Sequence, residues 1–419
     1  MAAIRFDQAQ PKRLAYILLG LSLFSLPFGW GPGSNLLLLL LALISFIALK
    51  AQDWKYSLSS PLTLASWFFF LLYLLSLLYS DDLNSGQREL ETKLSFFLGP
   101  PILVALGRYF SSKEKRNLQI IFILACVGSL ISALAYAGFR AWDHQALSYI
   151  KPNGSQEHFF FLYETLSEPF MHPGYLSTLF GIAILLLVKN LWVEFLDLKR
   201  SISWGLILFL GLGLFLLQGR INILALGIVL GTMTLWRLVK LKRWRWLFGG
   251  AGFIAFLILG FLSFAPQSVK ERYLAFPDFS YDLSGSNFNS ATYRLAEWEC
   301  AWEAIQQEPW FGYGIGDSKE QLLKTYQEKG FLEGYERRYN AHNQYLETSL
   351  ATGALGLTSL LVLLAVYTRR AYKLNRQVLV ASMLFFCICL LTESMFERAW
   401  AIVSFNVFFP FFLSDDKGA

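Results

Sequence analysis

The residues able to do chemistry sit in a few short stretches. "YNAHNQYLETSLATGALGL", residues 339–357, places His342, one of only four histidines, directly ahead of a long apolar run. A neutral imidazole titrates near neutrality and accepts a hydroxyl proton, so His342 is the candidate general base. The competing reading is a helix-start residue with Asn343 as the cap. Arg220, in "LLQGRINIL", is the one cation of a tight turn between two apolar runs. It either snorkels to headgroup phosphate or offers its planar fork to a diphosphate. Arg294 lies in "NSATYRLAEWECAWEAIQQEPWFGYGIGD", where Arg294, Trp298, Trp302 and Ile305 recur at helical spacing. His172 precedes a proline at the start of another apolar run, as a structural or a catalytic residue. Glu393 and Arg398 flank the last polar turn, either as an ion pair or as groups that hold sugar. The adjacent Arg337 and Arg338 supply a phosphate contact or brace a loop. His144 and His158 have no partners at recognisable spacing. No metal-ligand pattern and no Asp-X-Asp motif stands out, so neither metal nor cofactor is expected.

The elements that must position these residues are membrane helices. The 419 residues are 55% hydrophobic, and many uncharged runs reach membrane-spanning length. A bilayer core takes roughly 20 residues of helix, and lipid admits only helices or closed barrels. These runs are too long for barrel strands. The expected fold is an all-α polytopic membrane protein forming one domain over 1–419. About 12 transmembrane helices are expected: 14–30, 35–49, 61–79, 94–107, 118–138, 171–188, 203–218, 221–236, 247–265, 342–367, 378–394 and 398–413. The first is read as a retained helix. A large, partly helical loop, 266–341, separates the ninth from the tenth. Residues 291–307 read as an amphipathic helix on or near the membrane with a tryptophan face. The Gly-Tyr-Gly-Ile-Gly run follows a helix and not a strand, which excludes a dinucleotide fingerprint and leaves a turn or flexible lid. The four cysteines suggest no disulfide framework.

Charge placement orients the chain. With the N-terminus in the cytoplasm, twenty-two lysines and arginines fall on the cytoplasmic side, against six on the other side outside the longest loop. Both termini are then cytoplasmic, and the 266–341 loop is periplasmic. The net charge of +6 is mostly this topology, which leaves no basic soluble face for nucleic acid. Ionisable groups collect at the outward ends of helices, whereas coupled transporters carry them near the midplane.

The order of an arginine in an outward hairpin, a large loop with "R…W…P…GYGIG", then "HNQYL" and "GALG" resembles the O-antigen ligase and O-antigen polymerase superfamily of bacterial inner membranes. "MHPGYLS" and "ESMFERAWAIVSFNVFF" resemble its ligase branch. The resemblance covers about 171–413. It implies transfer of glycan from undecaprenyl diphosphate to a sugar hydroxyl of the lipid A core on the periplasmic face, without metal or nucleotide. In that scheme Arg220 and Arg294 bind the donor diphosphate and His342 is the base. His172, Trp298, Arg338, Asn343, Glu393 and Arg398 are the accessory candidates. The partners implied are the lipid-linked donor, the lipid A-core acceptor and membrane lipids, with a chain-length regulator left open. Alternatives are a polymerase joining repeat units, a protein O-oligosaccharyltransferase and, from another class, a lipid-linked glycan flippase.

Overall fold

The computed structural model describes residues 9–29, 31–150, 157–242 and 290–415, with Ser263 and Leu283. The expected span at 247–265, apart from Ser263, and the 266–289 part of the loop, apart from Leu283, lie outside the described residues. Among those described, the chain is almost wholly helical, with one hairpin pairing Ser148–Ile150 with Glu157–Phe159. Six helices are long and apolar enough to cross a membrane: Pro61–Tyr79, Leu83–Tyr109, Ser112–Asp143, Pro173–Val193, Arg220–Lys240 and Gln344–Lys373. Four more apolar helices are shorter, Leu36–Ala48, Arg200–Leu216, Gln377–Cys389 and Ala399–Phe412. This is a multi-pass membrane protein. Leu36, Leu43 and Phe46 point outward from one helix, an apolar exterior suited to lipid. Small residues let helices approach inside: a Cβ on Gly181 would lie 2.3 Å from the Phe385 ring.

One end of the bundle is basic. Arg370 pairs with Asp415 at 2.6 Å, Lys115 donates to the Ser414 carbonyl at 3.1 Å, and Arg376 donates to the same carbonyl at 2.9 Å. Arg108 lies over Tyr56, which donates to Asp415. The Gln344–Lys373 helix leaves this end at Lys373, and its 30 residues carry Gln344 roughly 45 Å away at 1.5 Å per residue.

That helix is broken. Gly353 has φ 62° and ψ −159°, a conformation essentially reserved for glycine. The break strands backbone groups that the segment 309–314 then satisfies. Tyr313 and Gly314 donate to the carbonyls of Leu350 and Ala351 at 2.9 and 3.0 Å, and Ala354 donates to the Pro309 carbonyl at 2.8 Å. Ile315 and Gly316 donate to the hydroxyls of Ser76 and Ser80. Of the two expected readings, turn or flexible lid, the Gly-Tyr-Gly-Ile-Gly run takes the turn, and it forms a largely buried clamp between two helices. A Cβ on Gly353 would lie 2.3 Å from the Trp310 backbone. Gly353→Ala should cost on the order of 3 kcal/mol, read as a lowered thermal midpoint in detergent.

The expected amphipathic helix is present as Ser290–Gln307, but its inner face differs. Ala296, Cys300, Ala301, Ala304 and Ile305 pack against Leu322, Leu323 and Tyr326 of the Ser318–Glu328 helix, while Trp302 stays exposed. Alanines permit the close helix approach that tryptophans block.

Candidate active site

Four separate segments meet at the end of the bundle opposite the basic one. The Gln344–Lys373 helix opens with Asn343, whose side chain accepts from the backbone N–H groups of Tyr345 and Leu346 at 2.9 and 3.2 Å. Asn343 does the capping, so His342 is left with another task. Residues 342–344 are stitched to the 390–397 turn. Gln344 donates to the Leu390 carbonyl at 2.9 Å, Asn343 to the Ser394 hydroxyl at 3.1 Å, and the Gln344 side chain accepts from Phe396 at 2.6 Å. Glu347 does not reach His342. It accepts from the Ala341 backbone at 2.9 Å and from Ser394 at 3.3 Å, which pins the loop just ahead of the histidine.

Glu393 is the hub. One oxygen accepts from Arg294 Nη2 at 2.8 Å, and the other lies 3.5 Å from His342 Nδ1. Arg294 Nε also donates to the Thr392 carbonyl at 3.1 Å. The partner of Glu393 is thus Arg294 and not Arg398. A Cβ on Gly174 would lie 3.5 Å from the Glu393 carboxylate, so the anion sits over the first turn of the Pro173–Val193 helix, where the dipole favours it. His172 caps the same turn, accepting from the Gly174 N–H at 3.3 Å.

At 3.5 Å the His342–Glu393 contact is a charge contact and not a well-formed hydrogen bond, and the buried Nδ1 has no closer partner among the described residues. His342 holds φ 41°, left-handed and unusual for a non-glycine residue. Burial alone pushes its imidazole pKa down. The Glu393 contact and the Glu297 charge outweigh that, and the pKa lies above the ordinary 6.5. Burial pushes the Glu393 carboxyl up, yet His342 and Arg294 hold it at about 2. His172 goes the other way: burial lowers it, and the Glu393 charge does not offset this. The Glu393 charge therefore acts on two imidazoles with opposite net results, His342 raised and His172 lowered.

His342 and Glu393 line a cavity of about 700 Å³. Lys319 and Arg398 line it too, with no carboxylate within 4 Å among the described residues, which makes both available to an anion. Burial lowers the Lys319 pKa despite the nearby Glu347. Arg337 and Arg338 border the same cavity, Arg337 pairing with Glu333 at 3.1 Å and Arg338 with Glu320.

Residues 205–361 match the family model described as O-antigen ligase. That segment, rather more than a third of the chain, is similar to the O-antigen ligase family. A protein of Haemophilus influenzae (strain ATCC 51907 / DSM 11121 / KW20 / Rd), described as uncharacterized, is 27% identical over 360 residues, covering 82% of this chain and 80% of its own. The matched O-antigen ligase segment holds Arg220, Arg294 and His342, while His172, Glu393 and Arg398 lie outside it. Arg220 opens the Arg220–Lys240 helix. Two residues on, Asn222 donates to the Gly174 carbonyl at 3.2 Å, so this helix starts beside the Glu393 cluster. Arg220 itself does not line the cavity that holds His342. Trp298 is partly buried, its indole nitrogen without a hydrogen-bond partner among the described residues.

One group of the matched segment does not stand out in the sequence. Glu297, one helical turn from Arg294, is 2% exposed, and its Oε2 has no partner among the described residues. Burial lifts its carboxyl to about 7, opposed by the charges of His342 and Arg294. Arg294 and Glu297 stand at i,i+3 on one helix, a spacing that reads as an ordinary surface pair. The raised pKa means the folded state keeps a proton that the unfolded state loses near 4.5. The associated stability is present below about 4.5 and lost as pH rises through about 7. Glu297→Gln should flatten that slope, so that its thermal midpoint exceeds wild type at pH 8 but not at pH 4.5.

Proposed function

We propose that the protein transfers a glycan from undecaprenyl diphosphate to a hydroxyl of the lipid A core on the periplasmic face, as an inner-membrane O-antigen ligase with both termini cytoplasmic. The observation that carries this reading is His342, facing the Glu393 carboxylate at the wall of a polar cavity, in a chain whose residues 205–361 are similar to the O-antigen ligase family. The basic end of the bundle supports the orientation, since it collects the cations that the positive-inside rule places in the cytoplasm.

In the reaction, the Glu393 carboxylate favours the His342 tautomer with its proton on Nδ1, and Nε2 takes the acceptor proton. The freed oxygen bonds to the anomeric carbon as the bond from that carbon to the diphosphate breaks. Undecaprenyl diphosphate departs with the electron pair. Lys319 and Arg398 on the cavity wall stabilise its growing charge, and the family resemblance adds Arg294, behind Glu393, and Arg220, at the start of the neighbouring helix. Direct attack inverts the anomeric configuration, and product NMR showing retention would overturn this step. The deciding experiment is a deletion strain of the source bacterium. The ligase reading expects long polymer on the lipid carrier and bare lipid A core. Single repeat units on the core would instead make the protein a polymerase, and wild-type lipopolysaccharide would sink both.

A further inference from the structure

His172 lines not one cavity but two. The second, of about 720 Å³, is walled by Tyr149, His158 and Phe159 of the hairpin, by Tyr163 and Glu164, and by Gln218. Its size falls within the roughly 300–1,000 Å³ of small-molecule sites, room for a short oligosaccharide. Its chemistry is unlike that of the first. Among the described residues no lysine or arginine lines it, whereas Lys319 and Arg398 line the first. Flat aromatic rings offer surfaces for the C–H faces of sugars, and Glu164, with no cation within 4 Å among the described residues, offers oxygens to hydroxyl donors.

Three details mark it as a built site. Gln218 Oε1 is buried with no hydrogen-bond partner among the described residues, an acceptor left open beside the cavity. Tyr163 and Gln218 both hold left-handed backbone, φ 52° and 51°, a strain that surrounding structure must sustain. The wall is braced from behind, where Arg140 pairs with Glu168 and lies over Tyr149 and Phe160 at 5.3 and 5.0 Å. A ridge of rings then leads from one cavity to the other. Tyr163 meets His172 at 6.5 Å, His172 meets Tyr175 at 5.4 Å, and Tyr175 meets Trp400 at 4.3 Å.

We propose that this second cavity is a glycan subsite, holding sugar rings through aromatic stacking and the Gln218 and Glu164 oxygens while phosphate and proton chemistry proceed in the first. The inference rests on the glycan-transfer reading and assigns a role to residues that, Gln218 apart, lie ahead of the O-antigen ligase match. It is tested on the full chain in nanodiscs by isothermal titration with two probes: core oligosaccharide from deacylated lipopolysaccharide, and O-glycan released from its lipid carrier by mild acid. Tyr163→Ala and Gln218→Ala should each weaken at least one probe by tenfold or more. Phe159→Ser should act in the same direction, and its side chain is 44% exposed, so folding is safe. Loss of core binding identifies the acceptor as occupant, and loss of O-glycan binding identifies the donor. Wild-type affinities in all three variants, or no binding of either probe to wild type, overturn the subsite. A transfer assay on the same wild-type sample keeps the two readings apart: transfer with unaltered glycan binding sinks the subsite alone, whereas absent transfer sinks the function on which it rests.

Discussion

Replacing His342 should lower single-turnover transfer by about 10²- to 10⁴-fold, the usual contribution of a positioned general base. The Michaelis constant for the lipid-linked donor should barely move, because the proposed mechanism gives the diphosphate to the cations and not to the imidazole. Folding should survive. The helix start is capped by Asn343, and the neighbouring backbone groups are held by Leu390, Ser394 and Glu347, none of which needs the His342 side chain. Because His342 has φ 41°, alanine there carries a backbone cost of about 1 kcal/mol. His342→Asn is the cleaner variant, since asparagine tolerates left-handed backbone but cannot serve as a base near neutrality. Transfer at the wild-type rate in either variant would show that His342 is not the base.

How much of this could be read in the chain depends on the length scale of each cause. Apolar runs are measured against a bilayer, so most helices are visible from composition alone. His342, Arg294, Glu393 and His172 each stand out singly, as polar groups at the ends of apolar runs. Their convergence on one carboxylate does not, because it is made by contacts such as Asn343 to Ser394 and Arg294 to Thr392, which bridge 51 and 98 residues and leave no period in the sequence. The glycine run shows a need for unusual backbone. Its reason lies in a helix broken at Gly353, whose carbonyls it satisfies. The tryptophans of residues 290–307 dominate any reading of amphipathicity, yet close packing selected the alanines. Glu297 is hidden for a related reason: next to Arg294 it resembles a solvated pair, and only its burial sets it apart.

Glu393→Gln should separate a positioning role from a merely structural one. Glutamine keeps the shape and removes the charge that both His342 and Arg294 use. Arg294, largely buried, loses its carboxylate, which should cost about 3 kcal/mol of stability. Transfer at the optimal pH should fall by about 10²-fold or more, because the imidazole is no longer held in the productive tautomer. The pH profile carries the sharper information. Only neutral imidazole accepts a proton, so wild-type transfer should rise with pH through a limb above the ordinary histidine value of 6.5. In Glu393→Gln the largest raising influence, the Glu393 contact, is gone together with the Glu393 charge; only the Glu297 charge still raises the pKa, against burial and the Arg294 charge. The limb should therefore move to lower pH even as the plateau drops. A variant that is only unstable would lower the plateau and leave the limb where it was, and that result would reduce Glu393 to a counter-ion for Arg294.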